Sequence, residues 1–333
     1  MPFVADLKVR LWPWVQRARL ERDRIWGGNC VVLLYHRVFN APQDPQRLCV
    51  SPENFDAHLS LLNERFRVLS MEEFDHYLLG RKRFPKNSVF ITFDDGYADN
   101  HRYARPLLEK HHAQGLFYIS SGYIGSGREY WWDELERLLL LPADRPVRIN
   151  VEHAGVVVSW NEMPKAELLR ALYERLLVVL RPMPSGDRDV FLDLLSASLP
   201  HVPDTRADHL AMDHDELLAF SGSPAVFIGA HTVGHTSLAG ISADQQRNEV
   251  GQSRRDLEQW LSMPVDRFAY PFGTPADHDA ITRDLVRKAG FRHAAANHPG
   301  IVHARSPHFA FNRVLVRDGG EEALMRTLAP FMW

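Results

Sequence analysis

Cysteine is scarce in this sequence: 333 residues hold two, Cys30 and Cys49. Two thiols make neither a disulfide framework nor a cysteine-rich zinc site, and Cys30, opening an apolar run, reads as a small buried hydrophobe. Long apolar runs are missing as well. None approaches the roughly 18 to 20 residues of a transmembrane helix. Nor does one charge sign dominate, with 39 Lys+Arg against 42 Asp+Glu and a net charge of -3. That balance argues against a nucleic-acid binder, which usually shows a basic domain or stripe. There is no internal repeat and no low-complexity tract. The remainder, 45% hydrophobic and 24% charged, is ordinary for a globular protein and enough for one elaborated domain or two smaller ones.

One local asymmetry stands out. Residues 1–26 carry Lys8, Arg10, Arg17, Arg19, Arg22 and Arg24 against Asp6, Glu21 and Asp23, together with Trp12, Trp14 and Trp26. Arginines interrupt the apolar residues here, unlike a secretory signal, so a cytoplasmic address is the expectation. A basic, Trp-bearing segment can lie as a peripheral contact on an anionic membrane surface, or dock as a helix on its own domain.

From residue 27 to 333, short apolar runs alternate with amphipathic stretches, the pattern of an α/β fold. Strands are predicted at 30–36, 88–93, 115–119, 225–229, 267–270, 291–295 and 312–316. Helices are predicted at 52–65, capped by Ser51 with Pro52 first, and from Ser70, whose spacing to Glu73 is that of a capping box. Further helices are expected at 99–111, 243–261, 276–289 and 320–329. Residues 142–222 read as an insertion, with a hairpin over 147–160 turning near Gly155. Helices at 163–181 and 187–199 follow, parted by the breaker cluster "RPMPSG".

Two apolar strands run straight into chemistry. "SVFITFDDGYADN" ends on Asp94 and Asp95, whose charges repel more strongly when buried. "AVFIGAHTVGH" ends on His231 and His235, which would share a face if the chain turned helically there. In a parallel α/β sheet both ends open into one crevice. A carboxylate with two imidazoles and an open position is a hydrolytic metal site. A divalent cation would neutralise one aspartate and leave the other to take a proton from water. A third strand ends in "YPFG", a rigid turn that could present a backbone N–H to an oxyanion.

"TFDDGY", "HTVGH" and "YPFG" together resemble, in order, three of five signature motifs of the polysaccharide deacetylases of carbohydrate esterase family four, the NodB-homology group. The resemblance covers about 30–120 and 225–316. It implies a distorted (β/α) barrel of about seven strands, with the mostly helical insertion attached. It implies Asp94 as catalytic base and Asp95, His231 and His235 as ligands of a divalent metal, zinc, with cobalt or nickel as alternatives. The Phe272 N–H would stabilise the oxyanion, and Tyr97 and Pro271 would line the substrate groove. The family's third motif carries an arginine where this sequence has Ala269, and Arg313 in "FNRVLVRD" is the candidate substitute. No clean match to the last motif's histidine exists. "LLYHRV" looks instead like the Tyr-His motif of the circularly permuted subgroup that deacetylates biofilm exopolysaccharide, which makes His36 the general acid. "REYWWDELE" looks like deacetylase-like proteins encoded with bacterial surface-glycan enzymes. It offers Trp131 and Trp132 as a sugar-stacking wall and Asp133 as a polar anchor.

The expected activity is hydrolysis of an N-acetyl or N-formyl group on an amino sugar of a glycan. A retired glycan-binding protein and a hydrolase of small non-sugar amides are the alternatives.

Overall fold

The computed structural model describes residues 28–141, 149–160, 166–199 and 202–332. The basic segment 1–26, with Trp12, Trp14 and Trp26, lies outside the described residues. Eight parallel strands form the central sheet: β1 (Cys30–Tyr35), β2 (Arg67–Val68), β3 (Ser88–Phe93), β4 (Gly115–Ile119), β5 (Val226–Ala230), β6 (Arg267–Ala269), β7 (His293–Ala295) and β8 (Val314–Leu315). Their order is β7-β6-β5-β4-β3-β1-β8, with β2 also paired to β3. Strands β1, β3 and β4 are buried along their whole length, as parallel strands covered on both faces must be.

The two sheet edges are joined by one stretch of chain. The backbone N–H groups of Ala294 and Ala296 donate to the carbonyls of His308 and Phe311, at 2.8 and 2.9 Å. The same chain then enters β8 beside β1. The sheet thereby curls into a distorted barrel, as the motifs imply.

Register decides what meets at the carboxyl ends. Tyr35 pairs with Phe93, Phe93 with Phe117, Ile119 with Ala230, and Ala269 with Ala295. His36, Asp94, Asp95, His231 and the "YPFG" turn therefore leave the sheet along one rim.

The helices follow their caps. α1 (Pro52–Arg65) starts where the Ser51 hydroxyl accepts from the Asn54 N–H, and α2 (Met71–Leu79) opens with a complete Ser70–Glu73 capping box. The stretch predicted as a helix over 99–111 instead begins as a π-turn, Asn100–Ala104, before α3 (Arg105–Lys110). Pro106 has no N–H to return to the Arg102 carbonyl, and the Asn100 side chain is held by the His36 carbonyl and Asp99. α4 (Trp131–Leu139) is buried throughout.

In the insertion, an antiparallel hairpin (Ile149–His153 with Val156–Trp160) precedes α5 (Ala166–Leu180) and α6 (Ser185–Ala197). α7 (His214–Ser221) returns to the barrel, its Phe220 ring meeting Phe117 edge-on at 4.7 Å. α8 (Ala243–Leu261) runs as expected. α9 (Ala280–Lys288) starts four residues late, because the Asp277 carboxylate is engaged by Thr274, Ser237 and Arg181 outside the helix. α10 (Glu321–Leu328) closes the fold.

Candidate active site

Tight, unusual backbone shapes the rim. Asp95, Thr232, His235 and Phe272 all have positive φ (76°, 66°, 51° and 60°) without being glycine. Such backbone costs on the order of 1–3 kcal/mol per residue and gathers at functional sites. Gly96 continues the first turn at φ 100°, where a Cβ would stand 2.9 Å from the Ile119 side chain. His231 and His235 therefore converge through a left-handed turn, correcting the helical spacing inferred from sequence; their ring centroids lie 4.9 Å apart.

Fixed hydrogen bonds hold these turns. Ser120, at the end of β4, donates its N–H to the Asp95 carbonyl at 2.9 Å and its hydroxyl to the His231 carbonyl at 3.1 Å. The Tyr130 hydroxyl donates to the Asp95 carbonyl at 2.7 Å. Glu249 of α8 accepts the N–H groups of Val233 and Gly234, both at 2.9 Å.

Asp95 Oδ1 lies 3.3 Å from His235 Nε2 and 3.7 Å from His231 Nε2, and is buried without a hydrogen-bond partner. His231 donates from Nδ1 to the Ala269 carbonyl at 2.8 Å, so its Nε2 lone pair faces both carboxylates, 3.7 Å from Asp95 Oδ1 and 3.8 Å from Asp94 Oδ2. Burial disfavours charge on all three. It raises the Asp95 pKa to about 6, against His36 and His231, and lowers His231 to about 4 and His235 to about 3. An orphaned carboxylate oxygen facing two neutral imidazoles suits a divalent cation as a partner.

Asp94 has a different environment. Arg313 grips it with two parallel bonds, Nη1 to Oδ1 at 2.6 Å and Nη2 to Oδ2 at 2.7 Å. Arg313 is fully buried and anchored by Nε on the Ala296 carbonyl at 3.0 Å. The pair is no surface salt bridge. Burial alone would raise the Asp94 pKa, but Arg313 and His231 outweigh it and hold it at about 2. Adjacent aspartates are thus pushed apart, one held ionised by a guanidinium and the other raised by burial.

Both aspartates open into a cavity of about 230 Å³ shared with His36, Trp132, His231 and His235. His36 Nδ1 has no hydrogen-bond partner. Burial lowers the His36 pKa, with Asp95 and Asp94 opposing. The Phe272 and Trp132 rings flank His235 at 4.8 and 4.5 Å.

Four expected groove residues are not on this cavity. Successive helical side chains diverge, so Trp131 faces a neighbouring cavity of about 140 Å³ while Trp132 faces the site. Tyr97 is fully buried, its hydroxyl donating to Asp133 at 2.6 Å and accepting from Trp132 Nε1 at 2.9 Å. Asp133 lines a separate small cavity, and burial, against Arg37 and the Tyr97 hydrogen bond, raises its pKa to about 8. Pro271 is buried.

Arg181, Thr274, Asn297 and Arg317 also line the cavity. Asn297 and Arg317 follow strands β7 and β8, so the strand-end rule could have found them. Arg181 comes from the breaker cluster; its guanidinium lies 4.0 Å from the Phe272 ring centroid and bonds Asp277. A larger cavity of about 760 Å³ includes Asp75 and Arg267, at the amino ends of the strands. There the Asp75 carboxylate is consumed by Arg267, Arg292 and His293.

The sequence profile of the family described as Polysaccharide deacetylase matches residues 81–141 and 207–294. The Bacillus subtilis protein YxkH is 19% identical over 289 residues, 86% of this chain and 71% of its own length. The poly-beta-1,6-N-acetyl-D-glucosamine N-deacetylase of Staphylococcus aureus is 27% identical over 111 residues; the match takes in 29% of this chain and 38% of that protein. The structure of Streptococcus pyogenes deacetylase PplD in complex with acetate superimposes with a TM-score of 0.58 at 18% identity, covering 90% of this chain and 98% of that one. That likeness is one of fold.

Proposed function

We propose that this chain, which belongs to the polysaccharide deacetylase family, hydrolyses the N-acyl group of an amino sugar within a glycan. The observation that carries the reading is the split pair: Asp94 clamped by Arg313, and Asp95 turned toward His231 and His235.

Asp95, His231 and His235 would hold a divalent cation, zinc, cobalt or nickel, whose Lewis acidity polarises the acyl carbonyl and lowers the pKa of water. Asp94, kept ionised, takes a proton from the attacking water as the water oxygen bonds to the acyl carbon. Arg313 fixes both carboxylate oxygens, so the base meets the water in one orientation. The Phe272 N–H, on its left-handed turn, offers a donor to the developing oxyanion. His36, as the imidazolium that the neighbouring Asp95 and Asp94 carboxylates favour, gives a proton to the amide nitrogen as the C–N bond breaks, releasing carboxylate and free amine. Trp132 supplies an apolar face for a sugar ring.

The name of the Staphylococcus aureus relative and the acetate bound in the Streptococcus pyogenes structure support an acetylated glucosamine glycan as substrate class. The test is release of acetate or formate from N-acylated glucosamine oligomers and lipid-linked glycans, with and without chelator. Chelation should abolish release, and zinc, cobalt or nickel should restore it. Release undiminished by chelation would contradict the reading.

A further inference from the structure

Among the described residues, two groups bring three ligating side chains within 4.8 Å of one another. One is the site above. The other is Asp133, Glu136 and His209, all buried. Asp133 and Glu136 stand three apart on α4 and so share a helix face. His209 comes from the one-turn helix Ala207–His209, on the chain returning from the insertion.

The cluster is more than a gathering of acids. Glu136 is 2% exposed, and its Oε1 has no hydrogen-bond partner. Asp133, Glu136 and His209 line one cavity of about 10 Å³, the space of a single water-sized guest. His209 Nδ1 is paired with the Asp208 carboxylate at 2.8 Å, which leaves its other ring nitrogen for a ligand. A carboxylate behind a histidine is the usual backing of a metal-bound imidazole.

The surrounding arginines have carboxylates of their own. Arg37 pairs with Asp99 at 2.8 Å. Arg206 chelates Glu129 at 3.0 Å and also pairs with Glu136 Oε2 at 3.4 Å. Arg137 lies between Glu129 and Glu134, at 3.3 and 3.5 Å. The Asp44 carboxylate accepts the Leu48 and Cys49 N–H groups. Arg37 lines the same cavity and Arg206 takes one Glu136 oxygen, but Glu136 Oε1 is left without a hydrogen-bond partner beside the Asp133 carboxyl and the His209 imidazole.

We propose that Asp133, Glu136 and His209 bind a second divalent cation, separate from the hydrolytic site. Two carboxylates and an imidazole suit a zinc- or manganese-type ion. Its role is positional. The Asp133 carboxylate fixes the Tyr97 hydroxyl, which accepts from Trp132 Nε1, and Trp132 walls the active cavity. The ion would also tie α4 to the chain leaving the insertion.

The test is zinc content per chain, by inductively coupled plasma mass spectrometry, after chelator stripping, reloading with Zn²⁺ and gel filtration. Wild type should retain two equivalents, Glu136→Gln one, Asp95→Asn one, and the double variant none. One equivalent in wild type that Asp95→Asn removes and Glu136→Gln leaves would overturn the inference. One equivalent that survives Asp95→Asn and vanishes in Glu136→Gln would uphold it while sinking the hydrolytic metal reading. His209→Gln replaces Glu136→Gln if the latter fails to fold. Should both fail, Asp95→Asn decides alone: one retained equivalent upholds the second site and none overturns it.

Discussion

Arg313 and Asp94 meet in a bidentate pair, 2.6 and 2.7 Å long, wholly inside the protein. The arginine arrives from the chain that closes the barrel, although Ala269 occupies the place where the family motif has one. Ala269 supplies only a carbonyl, to His231. Arg313→Lys keeps the charge but loses the fork, and turnover should fall about tenfold. Arg313→Ala should cost on the order of 10²-fold, within the range of general-base catalysis. Because Arg313 is what brings Asp94 down to about 2, its removal raises the pKa of a base that works ionised. The acid limb of kcat/KM should move to higher pH in Arg313→Ala. A pH–rate profile with an unmoved acid limb would exclude Asp94 as the base.

The two tryptophans of α4 should separate kinetically. Trp132→Phe removes part of the cavity wall and should raise KM several-fold. Trp131→Phe acts inside a neighbouring cavity and should leave KM unchanged while lowering the melting temperature. Equal KM effects would place both rings on the substrate.

Glu249 touches no expected ligand side chain, yet it fixes the backbone between His231 and His235 through Val233 and Gly234. Glu249→Gln should weaken hydrolytic metal binding about 10- to 100-fold, the usual scale for groups that orient ligands. Competition with a chromogenic chelator measures it. Unchanged affinity would show that the turn holds without the glutamate.

Asp75 gives a stability prediction remote from the site. Burial would raise its pKa, but His293 and Arg267 bring it down to about 2. A carboxyl depressed on folding stabilises above its unfolded pKa, about 4, and that stability is lost as pH falls toward 2. Asp75→Asn should therefore cost about 3–5 kcal/mol at pH 7, as when a buried pair loses one partner. Urea unfolding from pH 7 to pH 2 should show the wild-type advantage shrinking below about pH 4. A constant difference across that range would contradict the assignment.

What the sequence made legible was local chemistry with a fixed spacing. Ser51–Pro52 and Ser70–Glu73 announced their helices because a cap and its partner lie within one turn. Asp94, Asp95, His231 and His235 were visible because each follows an apolar strand. Contacts set by closure of the sheet were harder. Arg313 was nameable as a candidate, but its burial against Asp94 depends on residues 308–313 joining the two edges. The positive φ values at Asp95, Thr232, His235 and Phe272 fall on residues other than glycine, so the neighbouring Gly96, Gly234 and Gly273 announce turns without announcing these conformations. Arg181 and Glu249 act from elements whose docking no local pattern encodes. Tyr97 and Asp133 sat close to the motifs yet faced inward, toward each other.

The central claim is that two neighbouring aspartates have separate tasks. The direct measurement pairs metal content with acyl release in Asp94→Asn and Asp95→Asn. Asp94→Asn should keep the hydrolytic metal and lose turnover by about 10²- to 10⁴-fold, while Asp95→Asn should lose that metal and turnover together. Turnover retained by Asp94→Asn, or the hydrolytic metal lost from Asp94→Asn and kept by Asp95→Asn, would contradict the account.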